Sequence, residues 1–303
     1  MENALESLSP GARVAVIRLR SLGDCVLTTP ALEILKTARP DLRIAVVVED
    51  RFAPIFESNP DIDEILPPTV RAVTRFRPDL CLNLHGGTRS MLLTGSSAAR
   101  MRAGFAHFRG SGIYNIRIPT AQQILGVDRK VHTVEHLASA MFYLGAKRIP
   151  IPRAKLFAEA RPQPGRYAVL HPVATAAQKM WTAEGFLEVA QHLQDHQSLE
   201  PVFIAAAGED LSPFAKYNCI TAAPLAETKS LLQSATLFVG NDSGPAHMAA
   251  AFGIPVVVLY GASDPVIWAP WKVESELLVN PEAISNIKPA EVIQAIDNVS
   301  VRR

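Results

Sequence analysis

The segment Leu237–Gly261 constrains the fold more tightly than any other part of the chain. An apolar run, Leu237–Val239, ends in the polar turn Gly240–Gly244. A helix of small residues runs from Pro245 to about Phe252, Gly253 stops it, and a second apolar run, Val256–Tyr260, begins. Pro at the first helical position and Gly just past the last are the usual punctuation of a helix. The segment therefore reads as strand–loop–helix–strand, and a helical crossover of this kind joins parallel strands. Its loop offers Asp242, Ser243, Gly244 and the free amides of a helix N-terminus, where an anionic group is favoured by roughly 0.3–1 kcal/mol. His247 lies within the first turn, in reach of the same ligand. A phosphate-bearing small molecule fits such a turn.

The same rhythm occurs near the N-terminus. Strand Val14–Leu19 leads into a turn containing Gly23, a helix from about Cys25 to Ala38, and a second strand, Arg43–Val48. Further apolar runs at Ile62–Leu66 and Leu80–Leu84 each follow a Pro-Asp step. The proline-rich, aperiodic stretch Ile149–Arg166 reads as a linker. After it the pattern restarts with strand Tyr167–Leu170, helix Ala183–Gln194, strand Pro201–Ala206 and helix Ala226–Ser234. A chain of 303 residues accommodates two domains. The expected fold is therefore α/β, with two Rossmann-like parallel-sheet domains, 1–160 and 161–303, facing each other across a cleft lined by strand C-termini. A final helix, Pro289–Asn298, can pack on either domain.

Composition narrows the function. With 48% hydrophobic and 19% charged residues the chain can bury proper cores. Its 30 basic and 29 acidic residues leave a net charge of +1, which argues against a nucleic-acid binder. Cys25, Cys81 and Cys219 are widely spaced, with no CxxC pair, and read as reduced thiols. No secretory leader and no apolar stretch of the ~18 residues needed to cross a bilayer is evident, so a cytoplasmic protein that visits the inner membrane peripherally is expected. No GxGxxG follows the first strand of either half and no GxxxxGK[ST] occurs, which disfavours nicotinamide or flavin dehydrogenases and P-loop NTPases.

Several short motifs, taken together in order, carry a family likeness. They are Ile17-Arg-Leu-Arg-Ser-Leu-Gly-Asp24 with Thr29-Pro-Ala-Leu32, Asn83-Leu-His-Gly86 with Arg89, His132-Thr-Val-Glu135, His171-Pro172 with Lys179 and Trp181, Gly208-Glu209, Val239-Gly-Asn-Asp-Ser-Gly-Pro-Ala-His247, Gly261-Ala-Ser-Asp-Pro265 and Trp268-Ala-Pro270. On these residues the chain resembles glycosyltransferase family 9, the ADP-heptose:lipopolysaccharide heptosyltransferases, from about Val14 to the C-terminal helix. The resemblance implies the two-domain GT-B fold. It also implies inverting, metal-independent transfer of a heptose or related sugar from a nucleotide diphosphate donor, ADP-heptose above all, onto a lipopolysaccharide core or related glycan. The nucleotide sugar is a co-substrate, so no cofactor is expected. The acceptor is a glycolipid or glycan at the cytoplasmic face of the membrane, and the enzyme is expected to be a monomer.

Such a transfer needs a base for the acceptor hydroxyl, charge stabilisation on the departing diphosphate, and alignment. The resemblance gives Asp24 the role of base; the alternative is a helix N-cap, which Asp also favours. Gly23 would let the backbone approach the diphosphate closely. Ser243, Gly244 and His247 would hold the diphosphate and adjacent sugar, with a satisfied helix histidine as the alternative for His247. Asp242 beside a diphosphate is repulsive and is expected to bond sugar hydroxyls or backbone amides. Lys179 resembles the family lysine that neutralises the leaving phosphate, against a solvated surface lysine, and Thr175 would add a hydroxyl. Glu209 matches a family glutamate near the ribose, against an exposed loop acid. Acceptor candidates are Arg18, Arg20, His85, Arg89 and His132, each of which also has a structural or solvated reading. Asp61-Ile-Asp63 has the form of a metal-binding DxD but precedes a strand as a turn that the family uses structurally, so no metal is expected. The loop Val173–Gln178 and Met180 depart from the Gly-rich loop and following Arg of many relatives, and the cysteine-bearing insertion after the Trp-Pro region is missing. Competing functions are a GT-B-shaped nucleotide-sugar epimerase and a non-catalytic nucleotide-sugar or carbohydrate-binding protein.

Overall fold

Each apolar run becomes a strand of a parallel sheet. The computed structural model describes residues 3–159, 165–174 and 176–301. Contacts divide the chain into two units, Met1–Phe157 and Ala158–Arg303, with the boundary inside the proline-rich stretch.

The first unit runs β1 (Arg13–Ile17), α1 (Leu22–Ala38), β2 (Arg43–Val47), β3 (Glu64–Leu66), α2 (Val70–Phe76), β4 (Leu80–Asn83), α3 (Thr88–Ser96), β5 (Met101–Phe105), β6 (Ile116–Ile118), α4 (Ala121–Leu125) and α5 (Thr133–Leu144). Its six strands are ordered β3-β2-β1-β4-β5-β6, and all neighbouring strands pair in parallel. The second unit runs β7 (Tyr167–His171), α6 (Ala183–Gln197), β8 (Glu200–Ala205), β9 (Asn218–Thr221), α7 (Leu225–Ser234), β10 (Leu237–Asn241), α8 (Gly244–Phe252), β11 (Val256–Tyr260), α9 (Pro265–Trp268), β12 (Ser275–Val279) and α10 (Pro289–Val301). Its order, β12-β11-β10-β7-β8-β9, is the same winding counted from its own first strand. In each unit the direction of winding reverses between the first and fourth strands, β1/β4 and β7/β10. In sheets of this kind that switch point opens a crevice at the strand C-termini where ligands bind.

The central strands are buried along nearly their whole length, only the opening Arg13 of β1 and Arg43 of β2 being exposed, as strands covered by helices on both faces must be, and so read as apolar runs. In the first unit α5 packs on α1. The beginning of the proline-rich stretch is pinned to the same helix. Ala154 and Leu156 are buried, the Lys155 amide donates to Thr29 Oγ1 (3.2 Å), and its ammonium pairs with Glu33 (2.8 Å). In the second unit Phe186, Phe203 and Phe214 form an aromatic centre with Trp181. There α10 packs on α6 and β12, which settles its place.

Two helix starts differ from the sequence reading. α1 begins at Leu22, so the N-cap is Ser21 and Asp24 is the third helical residue. A serine followed three residues later by an acid is a capping-box pattern, which draws the helix start forward. α8 begins at Gly244, with Pro245 in second place. The Asp61-Ile-Asp63 turn is structural: Asp63 accepts from the Ile44 amide (2.7 Å) and pairs with Lys36 (2.9 Å).

Candidate active site

At the β1/β4 switch point the chain leaving β1 carries Arg18, Arg20 and Asp24. Arg18 is 5% exposed. Its Nε donates to Thr28 Oγ1 (3.0 Å), and its guanidinium lies 3.4 Å from Asp24 Oδ1. The other carboxylate oxygen, Oδ2, accepts from the Ser21 hydroxyl (3.0 Å) and amide (3.4 Å). Asp24 is thus fixed at both oxygens by its own helix start and a buried cation, while a quarter of its side chain (24%) stays exposed. This is the setting of a carboxylate held for use: oriented, partly open, and beside a compensating charge.

His85, in the loop after β4, joins this group. Burial first, then the Arg18 charge, hold its imidazole below the ordinary range, with the Arg20 charge adding to them; Asp24 and a hydrogen bond to the Arg20 backbone oppose. Its buried Nδ1 has no hydrogen-bond partner. The structure therefore brings Arg18, Arg20, Asp24 and His85 together. Gly23 occupies the turn of α1 directly before Asp24. Arg89, on α3, is exposed and donates to Glu49 (3.2 Å) and the Pro68 carbonyl (3.3 Å). His132 is used locally: it caps α5, its Nδ1 accepting from the Val134 amide (3.1 Å) while Glu135 accepts from its own amide (2.8 Å).

The second unit repeats the arrangement with different chemistry. Between β7 and α6 lies the loop carrying Lys179; Thr175 falls outside the described residues. Asn241, the last residue of β10, is fully buried and clasps both ends of that loop. Its Nδ2 donates to the Pro172 carbonyl (2.9 Å) and its Oδ1 accepts from the Trp181 amide (3.1 Å). Trp181 is itself anchored through Nε1 to the Ile287 carbonyl (2.8 Å). The clasp sets Lys179 Nζ 3.3 Å from Asp242 Oδ2, with the two side chains 37% and 11% exposed. Asp242, expected to bond sugar hydroxyls or backbone amides, accepts from this lysine. Next to it, Ser243 is the N-cap of α8, yet its buried hydroxyl makes no hydrogen bond. Gly244 is the first residue of that helix, and His247 is buried within it. A cation, helix-terminal amides and an unsatisfied hydroxyl thus converge on one spot, a setting suited to a phosphate. Glu209 stands apart: its carboxylate accepts from the Ala206 amide (2.7 Å) and closes the turn after β8.

The asparagines are what the sequence reading missed. Asn83, fully buried at the end of β4, does for the first unit what Asn241 does for the second. It accepts from the His85 (3.0 Å) and Gly86 (3.1 Å) amides and donates to Ser90 (3.1 Å) and Tyr114 (2.8 Å). The available signal was an amide side chain ending an apolar run in both halves. Replacing Asn241 with alanine orphans the Pro172 carbonyl and Trp181 amide. The expected cost is about 1–3 kcal/mol of stability, with a greater loss of donor affinity than an equally destabilising change in the α6 core; urea denaturation and donor titration check both.

His171 ends β7 beside this loop. Burial pushes its imidazole down to about 4, and its Nδ1 has no partner. It is neutral when folded, whereas the unfolded chain takes up the proton near pH 6.5. The unfolded state therefore binds more protons between about pH 6.5 and 4, and stability falls as pH falls through that window, by up to about 1.4 kcal/mol per unit from this residue. Urea denaturation across the window should show a shallower slope for His171→Asn than for the wild-type chain; parallel slopes would refute this origin.

Among the described residues no three His, Cys, Asp or Glu side chains gather to hold a metal ion, and no helix is long and apolar enough to cross a membrane. The two Rossmann-like units and their paired switch-point sites define the class: an α/β protein of the GT-B fold. The Veillonella parvula family 9 glycosyl transferase superposes with a TM-score of 0.85, at 21% identity, covering 96% of this chain and 98% of that one. The E. coli heptosyltransferase WaaC, solved with ADP, gives a TM-score of 0.79 at 21% identity over 95% and 99%. In sequence, the chain is 28% identical over 290 residues to lipopolysaccharide heptosyltransferase 3 of Escherichia coli (strain K12), covering 84% of this chain and 83% of the relative. The family model for glycosyltransferase family 9 (heptosyltransferase) matches residues 69–291. The chain belongs to that family and is a glycosyltransferase.

Proposed function

We propose that the protein transfers a heptose from ADP-heptose to a lipopolysaccharide-core or related glycan acceptor, with inversion at the anomeric carbon and without a metal ion. One observation carries the reading: Lys179, held 3.3 Å from Asp242 by the Asn241 clasp, beside the N-terminus of α8 and the unsatisfied Ser243 hydroxyl. That is a site for a diphosphate whose charge grows as it departs. The homologues' names and the ADP found with WaaC support the donor.

In the proposed reaction the Asp24 carboxylate removes the acceptor hydroxyl proton as the oxygen attacks the anomeric carbon opposite the leaving group. The bond from that carbon to the diphosphate oxygen breaks, its electron pair leaves on the phosphate, and Lys179 and the α8 amides stabilise it. Arg18 and Ser21 keep the carboxylate aimed, and Arg20 and His85 flank the acceptor. The products are ADP, a glycoside of inverted configuration, and a protonated Asp24.

A thermal-shift screen of ADP-, GDP- and UDP-sugars, followed by ADP release in the presence of EDTA, tests this. ADP-heptose should raise the melting temperature most, and release should require the acceptor and survive chelation. A sugar nucleotide that binds without any turnover would make the chain a binding protein instead.

A further inference from the structure

The motif Gly261-Ala-Ser-Asp-Pro265 plays no part in the proposed reaction, yet its first residue is under a tight constraint. Gly261 directly follows β11 and is buried. Its φ lies outside the left-handed region, so its backbone conformation does not call for glycine. Space does. A Cβ at this position would lie 2.8 Å from the backbone carbonyl oxygen of Gln178 and 3.3 Å from Ile284 Cβ. Carbon and oxygen overlap at such a distance, and a main-chain oxygen cannot swing aside as the end of a flexible side chain would. Ile284, itself buried, blocks retreat in its own direction.

What Gly261 touches is the turn that carries Lys179. Ala177–Lys179 form a short 3-10 turn, in which the Lys179 amide donates to the Ala176 carbonyl (2.9 Å) and the Met180 amide to the Ala177 carbonyl (3.0 Å). The Asn241 clasp holds the loop at Pro172 and Trp181, on either side of this turn. Neither of its bonds reaches Gln178. The contact with Gly261 is made by that residue, directly before Lys179. The end of β11 is tied to the other half of the ion pair as well. β10 and β11 are parallel neighbours, and the Asp242 amide donates to the Leu259 carbonyl (3.0 Å). The same strand end thus meets the chain beside both Lys179 and Asp242, whose side chains stand 3.3 Å apart.

We propose that Gly261 is a positioning residue for Lys179: having no Cβ, it lets the Gln178 carbonyl close on the end of β11 and so sets the ammonium at the leaving phosphate. This role rests on Lys179 meeting that phosphate as proposed above. A side chain at position 261 displaces the turn by roughly half an ångström or more, since atoms in contact settle at about 3.5 Å. Lys179 moves with it.

The test is isothermal titration with ADP, with steady-state kinetics alongside, of the full chain carrying Gly261→Ala, Lys179→Ala or both. Gly261→Ala should bind ADP about 10-fold more weakly and turn over about 10-fold more slowly, a smaller loss than the ~100-fold that a 1 Å misplacement can cause. Its acceptor KM should stay at the wild-type value. In the Lys179→Ala background the same change should cost no further ADP affinity, because the group it misplaces is gone. A merely structural glycine predicts the opposite, equal losses in both backgrounds. Gln178→Gly reads the same contact from an exposed position and leaves the core untouched, so it decides the matter if Gly261→Ala does not fold. A loosened turn should lower ADP affinity about 3-fold, and only while Lys179 is present. Wild-type ADP affinity in folded Gly261→Ala, additive losses in the double variant, or wild-type affinity in Gln178→Gly would each overturn the inference. The two readings fail separately. Lys179→Ala binding ADP like wild type removes the phosphate role itself, whereas a weakened Lys179→Ala beside an unaffected Gly261→Ala removes only the positioning.

Discussion

Asp24→Asn is expected to lower the turnover number by about 10²–10⁴-fold, the usual contribution of a general base, while donor affinity stays close to wild type. Asparagine preserves the shape of the side chain and can still accept from Ser21, whose hydroxyl meets Asp24 at 3.0 Å. It cannot take a proton. The competing account makes Asp24 only a helix-start residue, since it occupies the third position of α1 opposite the Ser21 cap. That account predicts the reverse pattern: a stability loss on the order of 0.5–2 kcal/mol with turnover per folded molecule unchanged. Steady-state kinetics and urea denaturation of one variant separate the two.

Lys179→Ala should be nearly as damaging, at about 10²–10³-fold in turnover, and unlike Asp24→Asn it should also weaken ADP binding. Two effects add. The departing phosphate loses its cation, and Asp242, only 11% exposed, is left as an uncompensated negative charge beside the diphosphate. Asp242→Asn in the Lys179→Ala background should therefore recover part of the lost ADP affinity. Isothermal titration of the single and double variants checks this. If Lys179→Ala binds ADP like wild type, the phosphate role is lost; if the double variant binds no better than the single, the repulsion argument is.

What could be read from the sequence followed from burial on both faces. β1, β2, β4, β7, β10 and β11 lie inside their sheets, so their interiors are apolar, with polar residues only at an end, and they stood out. β5, β6, β9 and β12 did not. β12 reads Ser-Glu-Leu-Leu-Val and is only partly buried, β9 is Asn-Cys-Ile-Thr, and β5 begins with Met-Arg. Asn218 and Thr221 end β9 at exposed positions, Ser275 and Glu276 open β12, and Arg102 interrupts β5, so no apolar run is left long enough for a period to show. α5 escaped notice although its cap was in view: His132-Thr-Val-Glu135 places an acid three residues after the capping residue, but histidine is an unusual cap.

The candidate site divided along the same line. Motif residues on a turn between strand and helix were legible, because a parallel sheet sends such turns to its ligand-binding edge. Partnerships across the sequence were not. Nothing local shows that Arg18 is buried against Asp24 and Thr28, that Lys179 meets Asp242 across 63 positions, or that Asn241 ties Pro172 to Trp181. The last two depend on β7 and β10 becoming neighbours, which only the winding order reveals, and the first on how the turn after β1 folds back on α1.

The central claim is that the β7/β10 switch point holds the donor. Hydrogen–deuterium exchange of the full chain with and without ADP-heptose tests it most directly. The account predicts that ADP-heptose slows exchange in 176–181 and 242–248, that Lys179→Ala weakens this protection, and that Asp24→Asn does not. Protection confined to the first unit, or equal protection in Lys179→Ala and wild type, would contradict it.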